Sequence, residues 1–177
     1  KQHIEFARDW ATMFNTTYKG QFFKQPAPRI QEQTAVVPGI DGEKMSKSYN
    51  NTIELFGDEK AIEKRIKSIK TDTTPPESPK PTDNALYKLL QIMAPPGEWA
   101  ALDAHWKTGG PPAEYGYGAY KKKLLEYYHA SFDGPRKRYA ELMNDPGEVE
   151  RILKDGAQRA RAIAAPVVDR VRRVVGL

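Results

Sequence analysis

The sequence predicts a mostly α-helical protein in which a short α/β segment, residues 1–57, precedes an all-helical region, residues 58–177. Apolar residues recur every three or four positions through most of the 177 residues, as they do on the buried face of a helix. Two short runs near the N-terminus, Gln21-Phe22-Phe23 and Thr34-Ala35-Val36-Val37, instead have the aromatic and β-branched composition of strands. Helices are therefore expected to dominate the fold.

The first segment is predicted to be the last helix and strands of an α/β unit. Ile4, Ala7, Ala11 and Phe14 fall at helical spacing, so the chain opens inside or just before an amphipathic helix. Prolines at 26, 28 and 38 mark loops and strand edges. Because an isolated pair of strands is only marginally stable, this sheet is expected to need neighbouring strands.

The second region is divided into helices by apolar periodicity and by the residues that end each repeat. Asp58 is a suitable N-cap for a helix that carries Ile62, Ile66 and Ile69 on one face. A Pro/Thr-rich linker or surface loop, residues 71–84, follows it. The next two helices are predicted by Leu86, Leu89, Leu90 and Met93, and by Trp99, Leu102 and Trp106. Two further helical segments are expected to be separated by a break near Gly134-Pro135. The last helix carries an apolar stripe from Val149 to Val175, and Pro166 should kink it.

Composition excludes several kinds of chemistry. The chain has no cysteine, and its three histidines lie far apart without metal-ligand spacing, so we expect neither disulfides nor a bound structural metal. The absence of cysteine fits a reducing cytosol, and no apolar run approaches the length of a membrane span, so we expect a cytoplasmic protein with no membrane partner. The formal net charge of +5 allows polyanionic partners such as nucleic acid or nucleotide phosphates.

The motif KMSKS, residues 44–48, carries the clearest chemical signal. It follows a loop that contains Gly39 and Gly42, and it places Lys44 and Lys47 three positions apart. Two mobile ammonium groups suit a ligand whose negative charge grows and then departs, as in a triphosphate that loses pyrophosphate. The serines can bind phosphate oxygens or cap a following helix. The alternative is a solvated, lysine-rich loop.

KMSKS is also the second signature of class I aminoacyl-tRNA synthetases, and its surroundings resemble the tryptophanyl-tRNA synthetase family. KQHIEFARDWATMFN looks like the helix after that family's ribose-binding turn, GEKMSKSYNNTIEL resembles its mobile loop, and KAIEKRIKSIKTD its next helix. The YGYG stretch at 115–118 and the final helix are similar to the family's C-terminal helices. The first class I signature, a His-x-Gly-His-type turn, does not occur, so the chain resembles the family's C-terminal half.

The resemblance implies a fold and a set of roles. Residues 1–57 would be the end of a Rossmann-type nucleotide-binding domain, and residues 58–177 an anticodon-binding domain for tRNA(Trp). Lys44 and Lys47 would hold the phosphates of ATP, with its Mg²⁺, while tryptophanyl-adenylate forms from L-tryptophan. Met45, Ser46 and Ser48 would shape the loop, and the backbone of Val36 or Val37 would contact adenine. The family forms homodimers, largely through the nucleotide-binding half, so this chain alone is expected neither to dimerise stably nor to be catalytically complete.

Two other functions fit parts of the sequence. A noncatalytic RNA-binding module could be built from the helical region, and another class I synthetase, such as the tyrosyl enzyme, would share the loop. Trp99 and Trp106 could stack on RNA bases, although core packing is the favoured interpretation. Arginines of the last helix could contact tRNA phosphates or form a solvated face, and Lys121-Lys122-Lys123 is expected to be solvated.

Overall fold

The structure, a computed structural model, describes residues 2–31 and 34–177. Its helices are α1 (Gln2–Thr17), α2 (Glu59–Lys67), α3 (Ala85–Met93), α4 (Pro96–Thr108), α5 (Pro112–Tyr115), α6 (Tyr117–Asn144) and α7 (Pro146–Val175), with a 3-10 turn at Lys47–Tyr49. The chain forms two compact units, one of Lys1–Gln31 with Leu142–Leu177 and one of Glu32–Glu141. The functional division into 1–57 and 58–177 follows the motif rather than compactness and stays a prediction.

The mostly helical prediction is confirmed, but the predicted strands are wrong. The described residues contain no strand, and their single β-bridge pairs Pro38 with Lys44. Residues 21–23 instead pack on α1, where the ring of Phe14 lies 5.8 Å from Phe22 and 5.0 Å from Phe23. The Asn15 side chain accepts hydrogen bonds from both of their backbone N–H groups. These donors thus have a partner without a neighbouring strand, and the described residues show no Rossmann-type sheet.

The unit Glu32–Glu141 contains a continuous apolar core. Asp58 begins α2 as predicted, since its carboxylate accepts a hydrogen bond from the Ala61 N–H at 2.9 Å. Ile62, Ile66 and Ile69 are at most 2% exposed, and burial of each side chain is worth about 1.5–3 kcal/mol. The core is completed by residues of α3, α4 and α6, namely Ala85, Leu86, Tyr87, Leu89, Leu90, Trp106, Tyr120, Leu124, Tyr127 and Tyr128.

Trp106 lies at the centre of this core, which confirms the core interpretation of that residue. It is fully buried, with its ring 5.4 Å from Tyr87 and 4.7 Å from Tyr120. Its indole N–H donates to the Pro81 carbonyl at 3.1 Å. The side chain of Lys80 is also buried, and its ammonium donates to the Pro76 carbonyl at 3.0 Å. The Trp106 side chain therefore holds the Pro/Thr-rich segment against the core, and the Lys80 side chain adds a hydrogen bond within that segment.

Helix α6 is continuous, so the predicted break near Gly134-Pro135 is wrong. Pro135 removes one backbone donor, yet the helix continues on both sides of it. Two α6 side chains bind the segment before α2: the Tyr128 hydroxyl donates to the Leu55 carbonyl at 2.6 Å, and Arg136 donates to the Gly57 carbonyl at 3.1 Å. These tertiary contacts favour the helical conformation around Pro135, which local sequence rules do not include.

Helix α7 is confirmed from Pro146 to Val175 and runs through Pro166. Its apolar stripe, however, contains no buried residue, and Ile163 is 77% exposed. Within its own unit, α7 is tied by Arg170, whose guanidinium donates to the Phe22 carbonyl at 2.6 Å. Across the described residues, no helix combines the length and the apolar character needed to cross a membrane.

Candidate functional site

The candidate site is the signature loop, defined here as residues 38–51, which folds back on itself around KMSKS. The Gly39 N–H donates to the Glu43 carbonyl at 2.7 Å, and the Met45 N–H donates to the Val37 carbonyl at 2.9 Å. Gly42 forms the tip with a φ of 96°, a conformation that a residue with a side chain rarely adopts. The glycines thus allow the chain to reverse its direction within a few residues.

One buried side chain holds the inside of this loop. Asn51 is 1% exposed, and its amide oxygen accepts a hydrogen bond from the Ser46 N–H at 2.7 Å. Its amide nitrogen donates to the Lys44 carbonyl at 3.2 Å and to the Asp41 carboxylate at 2.8 Å. A methyl group at Gly39 would lie 2.3 Å from that nitrogen, so a residue without a side chain is needed there. The Asn51 amide therefore bridges the backbone on both sides of Met45.

The second half of the motif is a short 3-10 turn. Ser46 caps it, since its hydroxyl oxygen accepts a hydrogen bond from the Ser48 N–H at 3.3 Å. Asn50 ends it in the left-handed conformation that asparagine tolerates better than most residues. Arg65 of α2 donates to the Asn50 carbonyl at 2.8 Å and also to its side-chain oxygen. The turn is thus joined to the helical core by one guanidinium.

The two motif lysines are exposed at the surface of this fixed loop. Among the described residues, the ammonium groups of Lys44 and Lys47 have no carboxylate or carbonyl partner. Lys67 of α2 and Lys107 of α4 differ in this respect, since Lys67 pairs with Glu63 at 2.6 Å and Lys107 with Asp103 at 2.7 Å. Two uncompensated cations on one braced loop can bind a polyanion such as a chain of phosphates.

Met45 points to the opposite side, toward the core. It lines an apolar cavity of about 130 Å³ below the loop, together with Val37. The other lining residues come from the core and from the segment before α2: Ile53, Leu55, Ile66, Leu89, Ile92, Met93, Leu124, Tyr128 and Phe132. The methionine side chain is flexible and adapts to irregular apolar surfaces, so the contact between the loop and the core is made by an adaptable side chain.

The predicted nucleotide-contacting valines have different environments. Val36 is 59% exposed and Val37 is half-buried, with its carbonyl already bonded to Met45. Neither lies at the end of a strand, because none of residues 34–37 is in a strand in the structure. The structure thus brings Val37 and Met45 together and leaves Val36 facing solvent. Their proposed contact with adenine stays a prediction.

Other candidate residues of the sequence have structural roles. Trp99 packs its ring 5.2 Å from Tyr87, as expected of a core residue. The lysine run at 121–123 is only partly solvated: the Lys121 ammonium donates to the Lys67 carbonyl at the end of α2, and burial lowers the pKa of that ammonium. Among the described residues, no group of three or more histidine, cysteine or carboxylate side chains is placed to hold a metal ion.

Sequence reasoning missed the residues that hold the loop, above all Asn51, Asp41 and Arg65. It also missed Tyr128, whose hydroxyl donates to the segment after the loop and whose pKa is raised by burial. A signal was present for Asn51. Asparagine commonly bonds nearby backbone groups in turns, and the Asn50-Asn51 pair lies where the loop must end before the apolar Ile53.

Comparison with known proteins gives a consistent result. The family model "tRNA synthetases class I (W and Y)" matches residues 1–108. A tryptophan–tRNA ligase of Rhodopirellula baltica is 46% identical over 177 residues, which cover 99% of this chain and 54% of that ligase. The ligase of Fusobacterium nucleatum is 38% identical and is covered over 53% of its length. A crystal structure of tryptophanyl-tRNA synthetase from Campylobacter jejuni, complexed with ADP and tryptophan, superposes with a TM-score of 0.74 at 39% identity, covering 99% of this chain and 54% of that one.

The chain therefore belongs to the class I tRNA synthetases of the tryptophan and tyrosine family. Within that family, the relatives described above are tryptophan–tRNA ligases, and the resemblance to the tryptophanyl-tRNA synthetases is confirmed. The chain spans about half the length of these relatives.

Proposed function

We propose that this chain is the C-terminal part of an ATP-dependent tryptophan–tRNA ligase and that its signature loop contacts the triphosphate. The observation that carries the proposal is the pair of exposed, unpaired lysines on a backbone braced by buried hydrogen bonds. The related Campylobacter jejuni structure, which contains ADP and tryptophan, supports the same assignment. Lys44 and Lys47 are the residues assigned to the phosphates.

The reaction needs positive charge where pyrophosphate departs. A carboxylate oxygen of tryptophan attacks the α-phosphorus of ATP, the bond from that phosphorus to the β-phosphate bridging oxygen breaks, and pyrophosphate leaves with the electron pair. Tryptophanyl-adenylate remains, and a ribose hydroxyl at the end of tRNA(Trp) then displaces AMP. Lysine ammonium groups stabilise the charge that develops on the departing oxygens, and they act mostly in the transition state.

The remaining parts of the nucleotide have less specific assignments. The backbone of the exposed residue Val36, with that of the neighbouring Val37, is the proposed contact for adenine. Mg²⁺ enters the proposal with ATP, because Mg²⁺ is commonly bound through substrate phosphates as well as by a few carboxylates.

Because the chain spans about half of its relatives, we place the rest of the active site in the other half. Tryptophan and the α-phosphate must be held together for the first step, and such positioning supplies much of the rate of enzymatic reactions. The chain by itself is then expected to show no tryptophan-dependent exchange of pyrophosphate into ATP. Robust exchange by the isolated chain would contradict this part of the proposal.

The loop assignment is tested in a chimera in which this chain replaces the matching 54% of the Rhodopirellula baltica ligase. Lys44→Ala and Lys47→Ala should each slow adenylate formation by about 10²- to 10³-fold while changing the KM for ATP only a few-fold. Lys122→Ala removes an exposed lysine of α6 and serves as the matched control. Normal activation kinetics in both loop variants would remove the loop from the mechanism.

The tRNA-binding part of the proposal is assigned to α7, where only some of the cations are neutralised. Arg151 is paired with Glu148 at 2.8 Å and Arg159 with Asp155 at 3.1 Å, whereas Arg161 and Arg172 have no such partner among the described residues. An unpaired guanidinium is available for a phosphate without first breaking an ion pair.

We expect Arg172→Ala to weaken binding of tRNA(Trp) by the chimera and to reduce the log-log salt slope by about one unit per lost phosphate contact. Adenylate formation should be unchanged. Arg151→Ala is the control, because that guanidinium is already occupied by Glu148. If the salt slopes of Arg172→Ala, Arg161→Ala and the unsubstituted chimera are equal, these arginines do not contact tRNA, and the polar face of α7 is simply solvated.

A further inference from the structure

We infer that Asn51 is a positioning residue for the two motif lysines, an inference that rests on the proposed function of the signature loop. Asn51 lies outside the KMSKS string and contacts neither ammonium group. Its amide instead binds the backbone carbonyl of Lys44 and the backbone N–H of Ser46. Through these two bonds it sets where the chain leaves Lys44 and where it enters the turn that carries Lys47.

The hydrogen bonds also determine which way the amide faces. The oxygen must face Ser46, because a backbone N–H can only donate, and the nitrogen must face Lys44, because a carbonyl can only accept. The second hydrogen of the nitrogen is used by the Asp41 carboxylate at 2.8 Å. A flipped amide would lose all three bonds, so this side chain has a single favourable orientation.

Asn51 is supported from two further sides. Gly39 leaves the space that the amide occupies, and the Asn51 carbonyl accepts a hydrogen bond from the Ile40 N–H at 3.0 Å. The oxygen of Asp41 that binds Asn51 also accepts from the Glu43 N–H at 3.1 Å. The Asn51 side-chain amide therefore adds to the direct backbone bonds between the two arms of the loop.

The loss of this amide should affect the reaction more than the fold. The helical core should persist without the Asn51 amide, because its buried residues lie in α2, α3, α4 and α6 and at Ile69, while from the loop the partly buried Ile40 packs against them. The loop does depend on it, because the Ser46 N–H and the Lys44 carbonyl would each lose the hydrogen bond that the Asn51 side chain provides. A displacement of about 1 Å at a charge-stabilising group is enough to lower a catalysed rate by on the order of 10²-fold.

The test uses Asn51→Ala in the same chimera, with Ile62→Val as a control that perturbs the core. Asn51→Ala should lower the rate of adenylate formation by about 10²-fold with a change in the ATP KM of a few-fold at most. Ile62→Val should lower the thermal midpoint without lowering that rate. Gly39→Ala, which pushes a methyl group into the Asn51 amide, should reproduce the kinetic effect of Asn51→Ala.

Combination with the lysine variants separates positioning from a general structural role. If Asn51 acts through the lysines, Asn51→Ala should slow a Lys44→Ala, Lys47→Ala double variant far less than it slows the unsubstituted chimera. Full additivity of the two effects would overturn the inference. If the lysine variants are slow but Asn51→Ala is not, the inference fails and the proposed function stands.

Hydrogen exchange in the chain itself tests the geometric half of the inference without any catalysis. The Ser46 amide is held by Asn51 and should exchange at least about tenfold faster in Asn51→Ala, as expected when a local hydrogen bond is removed. Amides of α3 should be unaffected. Unchanged protection at Ser46 would overturn the inference even if the lysine variants prove the loop essential.

Discussion

The core around Trp106 and helix α7 have the same kind of sequence pattern but opposite environments. Helix α3, within that core, carries apolar residues at helical spacing and buries five of its nine residues. Helix α7 carries a longer apolar stripe over 30 residues and buries none of them. Ile163 of α7 is 77% exposed, whereas Leu90 of α3 is fully buried.

The difference shows what an amphipathic pattern determines. Periodicity places apolar side chains on one face, and it favours a helix in either environment. Whether the face is buried depends on other elements of sufficient apolar area. In the Glu32–Glu141 unit, α2, α3, α4 and α6 supply that area to one another. The stability of the two regions should therefore respond very differently to similar substitutions.

The largest expected effect is that of Trp106→Ala. Removal of this fully buried ring, together with its hydrogen bond to Pro81, should lower the free energy of opening of α3 by about 3–5 kcal/mol. Native-state hydrogen exchange of the chain measures that quantity for individual amides. Trp10→Ala is the matched control, since Trp10 is 70% exposed on α1 and should cost about 0.5 kcal/mol or less.

Similar costs for the two tryptophan substitutions would break the comparison. A small cost at Trp106 would mean that the aromatic residues around it, Tyr87, Tyr117 and Tyr120, can close the space that the ring leaves. A large cost at Trp10 would mean that its exposed ring is covered in solution.

The smallest expected effect is that of Ile163→Ser. The two residues have similar helix propensities, so the substitution mainly tests burial. At 77% exposure, the change should alter the opening free energy of α7 amides by about 0.5 kcal/mol or less. Ile66→Ser, at 1% exposure in α2, is the buried counterpart and should cost several times more. A loss at Ile163 that grows with protein concentration would show that a second copy covers the stripe.

The signature loop differs from both regions because its conformation depends on polar groups. Its backbone returns through Gly42 and is held by the amide of Asn51, while Met45 supplies its apolar contact with the core. A few hydrogen bonds of about 1 kcal/mol each are enough to select one conformation and weak enough to allow movement.

The sequence by itself determined most of the helices, the N-cap of α2 and the position of the candidate motif. Asp58, the isoleucines of α2 and the KMSKS string could be recognised locally, because periodicity, capping and motif chemistry depend on neighbours within a few residues. Tertiary structure decided the rest. It replaced the predicted strands at 21–23 by packing on Phe14, continued α6 through Pro135, left the stripe of α7 exposed and made Asn51 the anchor of the loop. Each of these outcomes depends on which distant groups satisfy a backbone hydrogen bond or cover an apolar face, and local sequence rules contain no such information.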